Sequence, residues 1–264
     1  MSNMSVSITS VNFESLQAFR AKYHEEMACQ IVKDSLHHRP GWAEWYRLRL
    51  GNVEVGYAAV LIGGPWAGTR ALFEAYVLPQ HRVALFDLFD ALVVEARIDH
   101  IQAQTNDRLL SILLLQCYRD LKVEKLVFSD CVQTHLPDGG AIFRRLTESE
   151  RMHVFKHHAE PVGEWGLECA GEIVATGGYL GHYNPPHVDI YMEVRRDVRR
   201  HGHGSYLVQE IKRIAYSEQK IPCARCNIDN IGSRKTIARA GMMPCAHIIL
   251  GAIGRDDRPV VAHL

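Results

Sequence analysis

Val194-Arg-Arg-Asp-Val-Arg-Arg-His-Gly-His-Gly-Ser205 is the stretch on which the fold turns. The run before it, Val188-Asp-Ile-Tyr-Met-Glu-Val194, alternates as a strand does. The run after it, from Ser205 to Ala215, has the apolar spacing of an amphipathic helix. A turn built this way between strand and helix suits an anion. Gly202 and Gly204 let the backbone approach it closely. The unbonded N–H groups of the helix start, aided by the macrodipole, bind it. Arg199 and Arg200 add charge-assisted hydrogen bonds. A basic cluster alone would read as a solvated turn; the interleaved glycines favour a phosphate. The spacing is neither the Walker G-x-x-x-x-G-K-[ST] nor the Rossmann G-x-G-x-x-G.

The chain of 264 residues, 47% hydrophobic, fits one large or two small domains with a good core. Lys+Arg and Asp+Glu are equal at 30 each, which argues against nucleic acid or an anionic membrane surface as the main partner. No apolar run reaches membrane-spanning length. Met1-Ser-Asn-Met-Ser-Val6 shows no basic region leading into an apolar core, so no signal peptide is read there. The 7 cysteines, irregularly spaced, suit a reducing compartment. A cytoplasmic protein is expected.

Before the quoted turn, residues 5–9 alternate weakly and Phe13 to Ile31 reads as a helix. Strands are expected at Trp45–Leu50 and Val53–Leu61, joined by Gly51-Asn52, and at Ala71–Val77. Helix Val83–Ala96, strand Ile101–Gln104, helix Arg108–Tyr118 and strand Lys125–Ser129 follow. The second half repeats this order. Strands are expected at Glu164–Glu168, Glu172–Gly177 and Val188–Val194, then helix Ser205–Tyr216 and strand Ala224–Asn227. Helix Ser233–Ala240 and strand Cys245–Leu250 close it. Setting Val77 against Val194, an offset of 117 residues, superposes the halves, so the chain reads as an internal duplication joined near Pro137-Asp-Gly-Gly140. At that offset Arg82 falls on Arg199, Leu85 on Gly202 and Asp87 on Gly204. The first copy has lost both glycines and placed a carboxylate where phosphates would sit.

Arg199-x-x-Gly202-x-Gly204 resembles the acyl-CoA loop of the GNAT acetyltransferase superfamily, written there [RQ]-x-x-G-x-[GA]. The later segment Asn230-Ile-Gly-Ser233 with Ala240-Gly241-Met242 resembles that family's N-x-x-S…G-F, with Met242 in place of Phe. The resemblance covers about Gly171 to Gly254. It implies an α/β fold of two GNAT-like lobes, each a mixed, mostly antiparallel sheet flanked by helices. Residues 1–137 would be a degenerate lobe and residues 138–264 the lobe that binds acyl-CoA. The first lobe would be structural or form one wall of an acceptor site.

The resemblance also implies site residues. The strand carrying Met192, Glu193 and Val194 would splay from its neighbour, with backbone groups near Met192 and Val194 pairing with pantetheine amides. Arg199, Arg200, His201, Gly202, His203, Gly204 and Ser205 would hold the pyrophosphate. Asn227, Asn230 and Ser233 would contact the cofactor; Asn230 with Ser233 also reads as a plain helix N-cap. Asp189, Tyr191 and Glu193 share the polar face of the strand, which marks a wet cleft or a solvent-exposed face. Glu193 and Asp189 are the candidate catalytic bases; His182, Tyr183 and His187 lie in the preceding loop. Many relatives place an acidic tyrosine where this chain has Ile237, and no tyrosine lies between Asn230 and Gly241. Cys223-Ala-Arg-Cys226 with Cys245 and His247 is set aside as a zinc site, because strand residues three apart face opposite ways; no metal is expected.

Two functional readings stand. One is an acetyl-CoA-dependent N-acetyltransferase acting on a small-molecule or peptide amine by direct attack. The other is a non-catalytic acyl-CoA-binding regulatory module. Both leave room for a homodimer.

Overall fold

The computed structural model describes residues 5–27 and 34–254. In chain order the elements are β1 (Val6–Val11), α1 (Gln17–Met27), α2 (Asp34–His37), β2 (Ala43–Leu50), β3 (Val53–Leu61) and β4 (Ala71–Val77). Then come α3 (Leu85–Glu95), β5 (His100–Gln104), α4 (Arg108–Cys117), β6 (Tyr118–Asp130), β7 (Ile142–Arg145) and α5 (Glu148–His153). The chain ends with β8 (Trp165–Cys169), β9 (Glu172–Leu180), β10 (His187–Val194), α6 (His203–Ser217), β11 (Ile221–Asn227), α7 (Ile231–Arg239) and β12 (Met242–Ile253). Among the described residues, one compact unit gathers the chain up to 124, apart from 34 and 35, and from 247 on. The other gathers 34, 35 and 125–246. No helix among the described residues is long and apolar enough to cross a membrane.

Each unit is a mixed, mostly antiparallel sheet flanked by helices, as expected. In the first, β1, β2, β3 and β4 pair antiparallel in sequence order, and β4 meets β5 parallel at Ala71–Leu72 against His100–Ile101. Its last strand comes from the end of the chain: Ile248–Ala252 of β12 pairs antiparallel with β5. In the second unit β7, β8, β9 and β10 pair antiparallel, and β10 meets β11 parallel. Beyond β11 lies Lys125–Ser129 of β6, contributed by the first half of the sequence. The two halves have thus exchanged their closing strands.

Both β7 and α5 fall where no element was read. β7 is a four-residue edge strand with Ile142 exposed, too short for a periodic signal. The sign of α5 was present: Thr147 and Glu150 form a reciprocal capping box. The helix read over Phe13–Ile31 is a short 3-10 turn at Phe13–Leu16 followed by α1, and its last residues lie outside the described ones.

The core of the second unit packs Ile190, Leu207, Val208, Ile211, Phe128 and Ala224 between sheet and α6. Lys212 of α6 is buried beside it, its ammonium ion-paired with Asp130 and donating to Val132 O at 2.8 Å and to Ala240 O at 2.9 Å. The core of the first unit holds a polar network. Arg20 Nε and the Tyr57 hydroxyl donate to Glu74 Oε1 at 3.0 and 2.5 Å, and His37 Nε2 lies 3.0 Å from Glu74 Oε2. Trp45 donates to His37 Nδ1 at 3.0 Å. That leaves the imidazole proton on Nε2, facing the carboxylate.

Beside it, the Tyr23 hydroxyl donates to Asp107 Oδ2 at 2.6 Å, while Asp107 Oδ1 caps α4 through Leu110 N–H. Burial pushes the Asp107 carboxyl up to about 6, with the Glu74 charge adding to it. An acid whose folded value is raised loses stability as pH climbs from its unfolded value, near 4, through 6. The unfolding free energy measured in urea is therefore expected to fall between pH 4.5 and 7, by about 1–3 kcal/mol. Asp107→Asn, which keeps the cap oxygen, should flatten that part of the profile.

Candidate functional site

The site begins where two strands part. β10 and β11 pair only from His187–Ile190 against Ile221–Ala224. Past that point β10 keeps β9 as far as Val194, and β11 keeps β6 as far as Asn227. A gap opens between Tyr191–Val194 and Arg225–Asn227. Arg195 N–H donates to Val174 O at 2.9 Å. By the alternation of an antiparallel ladder, Met192 and Val194 therefore turn their backbone groups into the gap.

The Arg195–Ser205 turn closes the outer end of this gap. Gly202 caps α6 at φ +91°, in the left-handed region where a side chain is strained, and Arg200 is also left-handed at +71°. Alternating such residues curls successive N–H groups inward into an anion-binding concavity. Within this stretch the backbone donors with protein acceptors are Arg195, Val198 and Arg199, and the next along the chain is Tyr206; the N–H groups from Arg200 to Ser205 have no protein acceptor among the described residues. Gly204 is needed for a different reason. A Cβ there would lie 3.0 Å from Thr236 Cγ2 and 3.3 Å from Val194 Cγ2, so a side chain would press on α7 and β10 where the helix starts.

Arg199 Nε donates to Val194 O at 3.0 Å. Its counterpart in the first unit does the same, Arg82 Nε to Val77 O at 2.9 Å. The duplication is thus preserved in a single side-chain contact. Arg200 has no carboxylate partner among the described residues, and Arg239 of α7 joins it. The Arg239 Nη1 lies 3.9 Å from where a Gly202 Cβ would be. Arg239 was not read from the sequence, because it lies on another helix and only the fold brings it to the loop. His201 Nδ1 contacts Val198 O at 3.2 Å, and His203, half-buried, has its imidazole held below the usual range by burial and by His201. Asn230 Oδ1 accepts from Ser233 N–H at 3.0 Å as the cap of α7, and Asn227 Oδ1 accepts from Lys125.

The other face of the gap carries Asp189, Tyr191 and Glu193. The Glu193 carboxylate, 6% exposed, accepts backbone N–H groups of His158, Ala159 and Glu160 at 3.0–3.2 Å. Although burial alone would raise it, those amides and His157 hold its carboxyl below the usual range. A carboxylate so occupied is a weak base and a strong loop anchor. Asp189 is engaged on one oxygen only. Its Oδ2 lies 2.9 Å from His182 Nε2 and 3.0 Å from Arg225 Nε, while Oδ1 is buried without a hydrogen bond. The Tyr183 hydroxyl is likewise buried and without a partner, beneath the Arg225 guanidinium at 5.8 Å from its ring. Burial, then Asp189, pushes the Tyr183 phenol well up. His187, in the same turn, is buried with Nδ1 on Asn184 O.

Residues 129–242 match the family model of the acetyltransferase (GNAT) family. The second unit carries a GNAT domain. No curated protein matches the chain. Solved structures that it resembles include an acetyltransferase from the GNAT family from Colwellia psychrerythraea, with a TM-score of 0.70 at 16% identity over 94% of this chain and 100% of that one. A GCN5-related N-acetyltransferase from Sphaerobacter thermophilus follows at 0.61 and 16%, covering 94% and 95%. A tandem GNAT protein from the clavulanic acid biosynthesis pathway matches at 0.61 and 13%, covering 96% and 100%. At these identities the likeness is one of fold, and it extends over both units.

Within the GNAT domain, Ile237 is 5% exposed and packs in the core with Leu207, Ile211 and Ala240. The tyrosines of α6 do not replace it. Tyr216 donates to Asp130, and Tyr206 packs against the core. Cys226 lies in that same core and Cys223 beside Tyr183, on opposite faces of β11. In the first unit the equivalent strand is closed off from solvent: Phe73 to Val77 are all buried, as is Leu85 at the Gly202 position. Arg82 there is tied to Glu26 at 2.6 Å.

Proposed function

We propose that the second unit is an acetyl-CoA-dependent N-acetyltransferase in which an amine attacks the thioester directly. The observation that carries this reading is the run of unpartnered amides from Arg200 to Ser205, set at the mouth of a gap between parallel strands. The pyrophosphate binds those amides, with Arg199, Arg200, His201, His203 and Arg239 around it. Each charge-assisted bond contributes about 1.5–3 kcal/mol. The pantetheine arm lies in the gap against the backbone of Met192 and Val194, and Asn227, Asn230 and Ser233 flank its outer end. The thioester then reaches Tyr191 and Asp189. Asp189 Oδ1, buried and without a donor, accepts an N–H of the incoming amine beside the Tyr183 hydroxyl. With Ile237 at the tyrosine position, the thiolate leaves without a dedicated protein acid. The first unit, its equivalent strand wholly buried, serves as scaffold.

The buried Ile237 also favours a second reading, acyl-CoA binding without turnover. Thiol release from acetyl-CoA with a pooled library of primary amines decides between them. Release above the amine-free rate is expected; binding of acetyl-CoA with no release under any amine would leave only the second reading.

A further inference from the structure

Glu160 lies on the loop held against β10, its N–H donating to Glu193 Oε2 at 3.2 Å. Its carboxyl interacts electrostatically with Asp189 and Glu193 on β10, Arg225 on β11 and Lys125 on β6. Tyr191 in turn interacts with Glu160. The residue's own backbone is anchored on β10, on the face that carries Asp189, Tyr191 and Glu193. Its own side chain has no hydrogen bond or ion pair among the described residues.

What holds it there is Glu193. Three consecutive amides, His158, Ala159 and Glu160 itself, converge on that one carboxylate. A second tie comes from Thr176, whose hydroxyl meets His157 Nε2 at 3.2 Å and Gly163 N–H at 3.0 Å. The loop is therefore pinned on both sides of Glu160 to β9 and β10.

We propose that Glu160 is the general base of the acyl transfer and that Glu193 is its positioning residue. This rests on the transferase reading above. The ammonium, oriented on Asp189 Oδ1, first gives one proton to the Glu160 carboxylate, which frees the nitrogen lone pair to bond to the thioester carbon. The C–S bond then breaks, the surplus proton on the nitrogen passes through water to the departing CoA thiolate, and Glu160 returns its proton to solvent. Asp189 is less suited to take the proton, because its other oxygen is shared by Arg225 and His182. Partial burial first, and then the negative Asp189, shift the Glu160 carboxyl upward, toward the range a base needs. The residue as a whole is exposed, so solvent moderates that shift.

The test uses the full chain, acetyl-CoA and two acceptors, a pooled primary-amine library and hydroxylamine. Hydroxylamine is already neutral at pH 7 and needs no deprotonation before it attacks. Glu160→Gln is expected to lower turnover of the pooled amines about 100-fold or more and to erase the ascending limb of the pH–rate profile. Its turnover of hydroxylamine should stay within about threefold. Glu193→Gln should lower turnover about tenfold and keep the limb. Wild-type turnover with a Glu160→Gln variant that retains the limb, or that loses both acceptors equally, overturns the assignment and leaves the transferase standing. A wild-type protein that binds acetyl-CoA but releases no thiol with either acceptor overturns the transferase reading, and this one with it.

Discussion

Gly202→Asp is expected to weaken acetyl-CoA binding about 1,000-fold or more while the protein stays folded. The amides of Arg200 to Ser205 converge on one anion, and an aspartate at their centre would supply that anion itself. Losing two charge-assisted bonds costs about 3–6 kcal/mol, which alone is two to four decades of affinity. Repulsion between the new carboxylate and the pyrophosphate adds to it. The fold should survive because a Cβ at Gly202 meets only Arg239 Nη1, at 3.9 Å. The penalty is the left-handed backbone at +91°, about 1–3 kcal/mol. Titration calorimetry with acetyl-CoA, paired with a circular dichroism melt, measures both terms. A folded variant with unchanged affinity would remove the loop from the site.

Glu74→Ala is expected to destabilise the protein by about 3–5 kcal/mol, the range for breaking a buried ion pair. Arg20, His37 and Tyr57 all donate to this one carboxylate, so three buried donors lose their common acceptor. Although complete burial by itself would raise it, the facing His37 and Arg20 bring the Glu74 carboxyl down to about 2. A depressed acid contributes stability that is fully present above its unfolded value, near 4.5. That stability is lost as pH falls from there through 2. The variant should therefore differ most from wild type above pH 5, and the difference should shrink on acidification. Urea unfolding at pH 7 and pH 3 reads it directly. Equal losses at the two pH values would mean that the charge on Glu74 contributes nothing. Because Asp107 and Glu74 titrate in opposite senses for stability, the first unit should be most stable between about pH 4 and 5.

What could be read from the chain was what is local. The loop, its flanking strand and helix, and the glycine at φ +91° follow one another in sequence, so spacing and residue type expose them. The duplication was legible for the same reason, and Arg82 and Arg199 now show it in matched contacts at 2.9 and 3.0 Å. The exchange of closing strands was not legible. A strand's alternation says which face is apolar, not which neighbour it will meet, so nothing in Met242–Ile253 announces that its second half pairs with β5. Arg239 was missed likewise, since α7 returns it to the loop only in the fold. Glu193 shows a subtler limit. Its place on the polar face of β10 was readable, but its capture by three amides depends on a loop far away in sequence. Glu74 is a similar case: the strand Ala71–Val77 was readable, but the meeting of Arg20, His37 and Tyr57 on its one carboxylate depends on three separate segments of the chain.

The most direct test of the whole account is calorimetric titration of the full chain with acetyl-CoA. The gap in the second unit ends on a turn of unpartnered amides, whereas the equivalent strand of the first unit, Phe73 to Val77, is wholly buried. The account therefore predicts one binding site per chain. Two sites would show that the first unit also takes the cofactor, and no binding at all would contradict the central assignment.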